Sequence, residues 1–547
     1  MPVISVDPDS LMEMTDSDEL ELLNDLPKIG VEIERMEDEG WDLEISPDRC
    51  DMLSVEGIAR ALNGFKGRET GLPQFRVIED DDQVVTDVEL SVQDVRPYIV
   101  TAVVKDIELT DALLKSLMDV QEKLHLTLGR GRERVAIGVH DLAPIKPPLV
   151  YKAVKPDDIS FEPLEKMHEM TLGEILEEHE KGKEYAHILE GKEKYPIILD
   201  SEDNVLSFPP VINGTYTQVD PETTDLFIDM TGTDMKTLGY TLNILVTMLA
   251  DRGGKIHRTS VGYGNEEKYY PDLKPGSIKI SLEETEELIG VELGEDEVVD
   301  ILLRNRFEAS IDGDEIEVTY PAYRHDIMHP WDIIEDIAYG YDFDNFTGEM
   351  PKEVTLGQSL PMNKAIDAIK ELMVGYGFNE VVNSVLSDEE SQFQDMRLPV
   401  DDDVSLVENP VTEDQGCLRK WVLPSLMINL KNNRNKPLPQ SIFEVGEVVD
   451  GSVQRTQFGA VVTHSEAGFT EIKSKVEGLA KGLGLTTDID EKNHDSFIKG
   501  RCASIDVSGE EIGYFGEVHP EVISNFTLEN PVIALLMDID KIAELKN

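Results

Sequence analysis

The sequence predicts an α+β chain of several domains, and three observations carry that reading. The chain has 547 residues, beyond the roughly 250–300 at which a single apolar core stops growing. Between about 85 and 262, strand-like runs alternate with helix-like ones. From about 355 onward, strands that neighbour one another in sequence are flanked by amphipathic helices, the pattern of an antiparallel sheet with helices beside it. Domains are expected at 1–75, 85–262, 275–346 and 355–547.

Charge narrows the environment. The chain holds 111 acidic and 50 basic residues, a net charge of −61, spread along its length with only short clusters such as Asp80–Asp82 and Asp401–Asp403. An acidic tail is therefore excluded, and 40% hydrophobic content excludes a disordered chain. A surface so acidic repels itself at ordinary salt, which implies molar salt, where the screening length falls to about 3 Å, as in the cytoplasm of a halophilic archaeon. Cys50, Cys417 and Cys502 lie far apart, with neither a disulfide framework nor a zinc spacing. The first residues lack a basic start and the longest apolar run, LNILVTMLA, is too short to span a bilayer. A cytoplasmic location away from membranes is expected.

In chain order, Ser54 is placed to cap a helix that buries Val55, Ile58, Ala59 and Leu62 and closes at Gly64. Pro47, Asp48, Arg49 and Asp51 precede it and read as turn and capping residues or as a substrate contact. In GRGRERVAIGVHD, Arg130, Arg132 and Arg134 form a basic loop before an alternating strand. It suits an RNA phosphate, or it neutralises nearby carboxylates. His140 ends that strand, where a lone histidine is usually a hydrogen-bonded structural residue.

The INGT turn and the run Leu226–Met230 predict two neighbouring strands, followed by a turn into a helix from about Met235. Sites gather at strand ends, so Asn213, Asp229, Thr231 and Thr233 are candidates to converge on a pocket; as a local reading they are capping residues. Residues 277–306 predict a strand and two helices, with two strands around Gly313 and a helix opening at Pro330. Asp332, Glu335 and Asp336 stand at i, i+3 and i+4 on that helix, with Asp326 in the loop before it. They read either as a solvated acidic helix start favoured by the macrodipole or as a magnesium site, since repelling carboxylates are best reconciled by a hard cation between them.

The stretch Gln415–Phe443 breaks the acidic rule: about six acidic residues are expected by composition and it has none. It carries Arg419, Lys420, Lys431, Arg434 and Lys436 beside an apolar helical stripe of Trp421, Leu423, Leu426, Met427 and Leu430. The choice is between a core helix and a surface kept free of negative charge for an anionic or protein partner.

Five stretches, in order, carry a resemblance: SPDRCDMLSVEGIARAL (46–62), RERVAIGVHD (132–141), LFIDMTGTD (226–234), YRHDIMHPWDIIEDIAYGYDF (323–343), and ENPVTEDQGCLRKWVLPSLMINLKNNRNK with QSIFEVGEVV (408–449). They resemble the beta subunits of archaeal-type phenylalanyl-tRNA synthetases. The resemblance implies an antiparallel core like that of class II synthetases, an editing domain that hydrolyses tRNA mischarged with tyrosine, and a small helical, winged unit between them. It implies an alpha subunit as partner in a tetramer of two alpha and two beta chains, and tRNA(Phe) as a ligand. ATP and phenylalanine would be bound through alpha. The editing candidates become Asp229, Thr231, Thr233 and Asn213, and the RNA or partner contacts Arg130, Arg132, Arg419, Lys431 and Arg434. The family's magnesium site has the spacing of Asp326, Asp332, Glu335 and Asp336. The core lacks a GxGxGxxR segment and an acidic residue two after Arg419, so no residue is assigned to aminoacylation and the core is expected not to hold ATP. Two other readings stand beside this one: a tRNA-binding scaffold with a degenerate editing pocket, and a free-standing deacylase.

Overall fold

The computed structural model describes residues 2–37, 40–80, 83–313, 315–348, 350–351 and 355–545; Asp81 and Asp82 of the acidic cluster lie outside them. The chain divides into two compact units, Met1–Glu349 and Met350–Asn547.

The first unit begins with a three-stranded antiparallel sheet in which Gly40–Ile45 lies between Val3–Val6 and Val31–Glu37. Ser54 caps the helix Val55–Phe65, its hydroxyl accepting from the Gly57 N–H at 3.0 Å. Gly64 does not close that helix: it lies in its last turn, where a side chain would collide with the Arg304 carbonyl. The unit has no separate N-terminal core. Ile4, Leu43 and Leu62 share one apolar cluster with Val104, Leu117 and Leu245, because the sheet and helix rest on the helices Asp111–Leu126 and Met235–Asp251.

Two sheets follow. One has five strands in the order Val77–Ile78, Lys255–His257, Tyr98–Lys105, Leu226–Gly232, Val135–Asp141. The other has seven and includes Ile212–Asn213, Val205–Phe208, Tyr195–Leu199 and Leu149–Val154. Leu226–Gly232 is buried along its whole length and pairs antiparallel on both sides. Its side chains alternate as the pleat requires. Leu226, Ile228 and Met230 join the core under the helices, whereas Phe227 joins the core beside the second sheet. Asp229 and Thr231 therefore face the Phe227 side.

In residues 276–341, strands Gly276–Ser281, Glu315–Tyr320 and Glu308–Asp312 and helices Leu282–Ile289, Glu295–Arg304 and Pro330–Tyr341 surround a core of Ile280, Leu302, Phe307, Val318 and Ile337.

The second unit is built on a six-stranded sheet ordered Asn379–Glu380, Gln440–Asp450, Val453–Thr463, Val532–Asp538, Glu510–Val518, Phe497–Val507, antiparallel except for its first pair. Between residues 379 and 387 the chain forms two short strand pieces, Asn379–Glu380 and Leu386–Ser387. Both faces of the sheet are covered. Phe458, Ala460, Leu535 and Phe515 pack against the helices Pro361–Gly375 and Phe469–Gly482. Val461, Ala534 and Leu536 pack against Trp421, Leu426 and Leu430 of the acid-free stretch. The apolar stripe of that stretch is thus core.

Arg419 is corrected by this arrangement: it is 1% exposed, with no surface for RNA or a partner. Its Nη2 donates to Glu444 at 2.8 Å and its Nε to the Glu447 carbonyl at 2.8 Å. Glu444, equally buried, also accepts from Asn383 Nδ2 at 2.6 Å. The acidic partner is therefore in the next strand rather than two residues on. Removing one member strands a buried charge, so Arg419→Met or Glu444→Gln is expected to cost about 3–5 kcal/mol, and Lys431→Met at the surface less than about 0.5 kcal/mol. Urea unfolding followed by Trp421 fluorescence, with Trp41 and Trp331 replaced by Phe, measures this. Equal costs for buried and exposed variants would contradict the placement.

Candidate functional site

A cavity of about 720 Å³ opens between the two sheets and is lined by Asp229 and Thr231, by Asn213 and Ser207 of the second sheet, by Gly138 and Thr217, and by Leu114, Met118 and Glu122 of the helix Asp111–Leu126. Its walls set apolar side chains such as Leu114, Leu117, Met118 and Phe208 beside nearly as many polar ones, and a concave site that joins apolar surface to placed polar groups suits a small molecule. Three of the four residues singled out in the sequence meet there. Thr233 does not: it is exposed past the strand end, with its N–H on the Arg134 carbonyl, because it has left the pleat that aims Asp229 and Thr231 inward.

The polar wall is held from behind by groups that the sequence did not single out as functional. Asp229 is 1% exposed and its Oδ2 lies 2.7 Å from His140 Nε2. The other ring nitrogen lies 2.7 Å from Thr217 Oγ1. Arg96, 2% exposed, donates through Nε to Thr231 Oγ1 at 2.8 Å and through Nη2 to the Thr231 carbonyl at 2.6 Å. Burial pulls the Arg96 guanidinium down to about 10 against the opposing pull of Asp229. Asn213 Nδ2 reaches the Val139 carbonyl at 3.4 Å. His140 was hidden because its partner is 89 residues away and its proximity follows only from register: Gly138 pairs with Asp229, and His140 is two residues on.

Arg132 stands at the cavity edge in a left-handed conformation, φ 71°. It donates to the Val211 carbonyl at 3.0 Å and to Glu122 at 3.3 Å, and stacks over Tyr185 at 4.1 Å. Glu122 is held down to about 2 by a hydrogen bond with His125 and by Arg132. Of the two readings of the basic loop, neutralisation of a carboxylate describes Arg132. Arg130 is exposed. In the second unit Lys431 and Arg434 are also exposed, Arg434 donating to Thr527 Oγ1 at 3.1 Å.

The four expected magnesium ligands line one small cavity of about 50 Å³ together with Asp48, Arg49 and Tyr339. Among the described residues, however, no three His, Cys, Asp or Glu side chains are grouped to hold a metal ion. The reason lies in their partners. Arg324 donates to Asp326 at 2.9 Å and to Asp336 at 2.6 Å. Asp332 Oδ2 accepts from the Met328 and His329 N–H groups, completing the capping box of the Pro330–Tyr341 helix. Glu335 is exposed, and its carboxyl is pushed up by partial burial and by Asp48, Asp336, Asp332 and Asp326. A hard cation fits this donor chemistry at Glu335 and at the free side of Asp332, while Asp326 and Asp336 share the Arg324 guanidinium and Arg49 lies 3.8 Å from Asp336.

Three family models and several known proteins match the chain. The family model for the phenylalanyl tRNA synthetase beta chain CLM domain matches residues 348–539, that for the tRNA synthetase B5 domain residues 278–343, and that for the B3/4 domain residues 109–245. The chain is 44% identical over 541 residues to the phenylalanine–tRNA ligase beta subunit of Archaeoglobus fulgidus, covering 98% of each. It is 43% identical over 557 residues to that of Methanocaldococcus jannaschii, covering 99% of this chain and 100% of the relative. The crystal structure of an N-terminal fragment of the phenylalanyl-tRNA synthetase beta subunit from Pyrococcus horikoshii matches with a TM-score of 0.60 at 38% identity, over 62% of this chain and 99% of the fragment. The B3/4 match spans Asp229 and Thr231, and the B5 match spans Asp326, Asp332, Glu335 and Asp336, whereas Asp48 and Arg49 of the acidic cavity lie outside it. The chain therefore belongs to the phenylalanine–tRNA ligase beta-subunit family of aminoacyl-tRNA synthetases.

Proposed function

We propose that this chain is the editing and scaffolding subunit of a phenylalanine–tRNA ligase. It joins an alpha subunit in a tetramer of two alpha and two beta chains, in which alpha binds ATP and phenylalanine and charges tRNA(Phe). The chain itself hydrolyses tyrosyl-tRNA(Phe) in the cavity at Asp229, in a halophilic archaeal cytoplasm.

The observation that carries the reading is the pairing of Asp229 and Thr231 on one wall of a cavity of about 720 Å³ that also offers the apolar side chains of Leu114, Leu117, Met118 and Phe208. A pocket shaped for phenylalanine rejects an added hydroxyl only weakly, whereas a site that hydrogen-bonds that hydroxyl selects strongly for it. The cavity has an apolar interior for the ring and polar groups for the hydroxyl. The filled faces of the six-stranded sheet support placing the synthetic chemistry on alpha. Arg130, Lys431 and Arg434 remain as exposed cations for RNA phosphates or the partner. Magnesium in the acidic cavity would be held by Glu335 and Asp332, with Asp326 and Asp336 behind them, and would supply charge neutralisation where the carboxylates crowd.

Asp229→Ala or Thr231→Val is expected to reduce tyrosyl-tRNA hydrolysis by about 10- to 100-fold, a hydrogen bond to a charged or buried group being worth about 1.5–3 kcal/mol, while phenylalanylation stays near wild type. Unchanged hydrolysis in both variants sinks the assignment and favours the scaffold reading. For the acidic cavity, Asp332→Asn with Glu335→Gln is expected to lower bound magnesium and the tetramer yield with alpha; wild-type metal content and yield would refute it. The thermal midpoint should rise between 0.1 M and 2 M KCl as the charge of −61 is screened. A flat midpoint would count against the halophilic source.

A further inference from the structure

Asp229 and Thr231 sit two residues apart on one face of their strand, about 7 Å along it, and each is gripped from behind by one buried side chain. A carboxylate only accepts hydrogen bonds, so the His140 nitrogen 2.7 Å from Asp229 Oδ2 carries a proton, and in the neutral ring the other nitrogen accepts from the Thr217 hydroxyl at 2.7 Å. This assigns the tautomer from the network itself. Oδ2 is thereby occupied and Oδ1 is left to accept from the cavity. Gly138 makes the grip possible: it pairs directly with Asp229 in the neighbouring strand, and a side chain there would collide with Asp229 Oδ2 and His140 Nε2. On the other residue, a guanidinium only donates, so Arg96 occupies a lone pair of Thr231 Oγ1 at 2.8 Å and leaves the Thr231 hydroxyl hydrogen free.

We infer that His140 and Arg96 are positioning residues that fix the hydrogen-bond polarity of the cavity wall, locking Asp229 as an acceptor and Thr231 as a donor. A phenol oxygen donates one hydrogen bond and accepts another, so it satisfies both groups at once. An unsubstituted ring displaces water from both and leaves them unpaired, which is costly. The selectivity assigned to Asp229 and Thr231 thus depends on two side chains that do not themselves meet the substrate. The inference rests on the editing reading.

The test is the ratio of kcat/KM for hydrolysis of tyrosyl-tRNA over phenylalanyl-tRNA, measured with the full chain co-expressed with its alpha subunit at molar KCl. His140→Leu and Arg96→Met are each expected to lower that ratio about 10- to 100-fold, chiefly by slowing tyrosyl-tRNA. His140→Gln and Arg96→Lys, which keep an N–H near the same place, recover a large part of it. A ratio equal to wild type, or parallel loss on both substrates without recovery in the conservative variants, overturns the inference. Where His140→Leu fails to fold, Thr217→Val, which frees the ring from its tautomer, is read the same way: a lower ratio supports the positioning role and an unchanged one overturns it. A folded wild-type chain that hydrolyses neither tRNA overturns the editing reading, and this inference with it; a selective wild type with indifferent variants overturns this inference alone.

Discussion

The candidate site depends on one constraint: two polar side chains have to be carried into the interior by a strand that is otherwise pure core. Leu226–Gly232 satisfies its backbone on both sides, against Tyr98–Lys105 and Val135–Asp141, so its position is set by two ladders of hydrogen bonds. Burying an unpaired carboxylate there would be prohibitive. The structure meets that cost with His140 on Asp229 and Arg96 on Thr231. The same partners leave Asp229 Oδ1 to accept and the Thr231 hydroxyl hydrogen to donate toward the cavity, so the demands of folding and of recognition are met by the same contacts.

The acidic cavity shows the opposite balance. Five carboxylates and two arginines share it, and Arg324 answers Asp326 and Asp336 where a cation would otherwise be required. Asp332 is absorbed by the helix start. Glu335 alone of the four lacks such an answer, and its carboxyl is accordingly pushed up. An acidic set that looks like a metal site by spacing is, in the folded chain, largely a set of internal ion pairs and a cap, which leaves Glu335 and the free side of Asp332 as the carboxylate oxygens open to a cation.

How much of this was legible in the sequence follows from the range of the interactions. Local patterns were readable: Ser54 and the helix after it, the strands around Gly313, the helix opening at Pro330, and the run Leu226–Met230 whose lone acid betrayed Asp229. Contacts set by register were not. His140 reads as a structural histidine until Gly138 is paired with Asp229, and Arg96 carries no signal in its own neighbourhood. Arg419 failed the opposite way. Its basic surroundings suggested a surface, but its partner Glu444 lies 25 residues away in the adjacent strand and draws it inside. Thr233 was grouped with Thr231 by proximity in sequence, although the strand ends at Gly232 and the turn sends it to solvent.

The central claim is that Asp229 and Thr231 recognise a phenol hydroxyl at the polar wall of the cavity. A crystal structure of the chain with a non-hydrolysable amide analogue of tyrosyl-adenosine tests it most directly. The account predicts the phenol oxygen within about 3 Å of both Asp229 Oδ1 and Thr231 Oγ1, with the ring between the sheets. An analogue bound with its hydroxyl toward solvent, or seated outside this cavity, would contradict it.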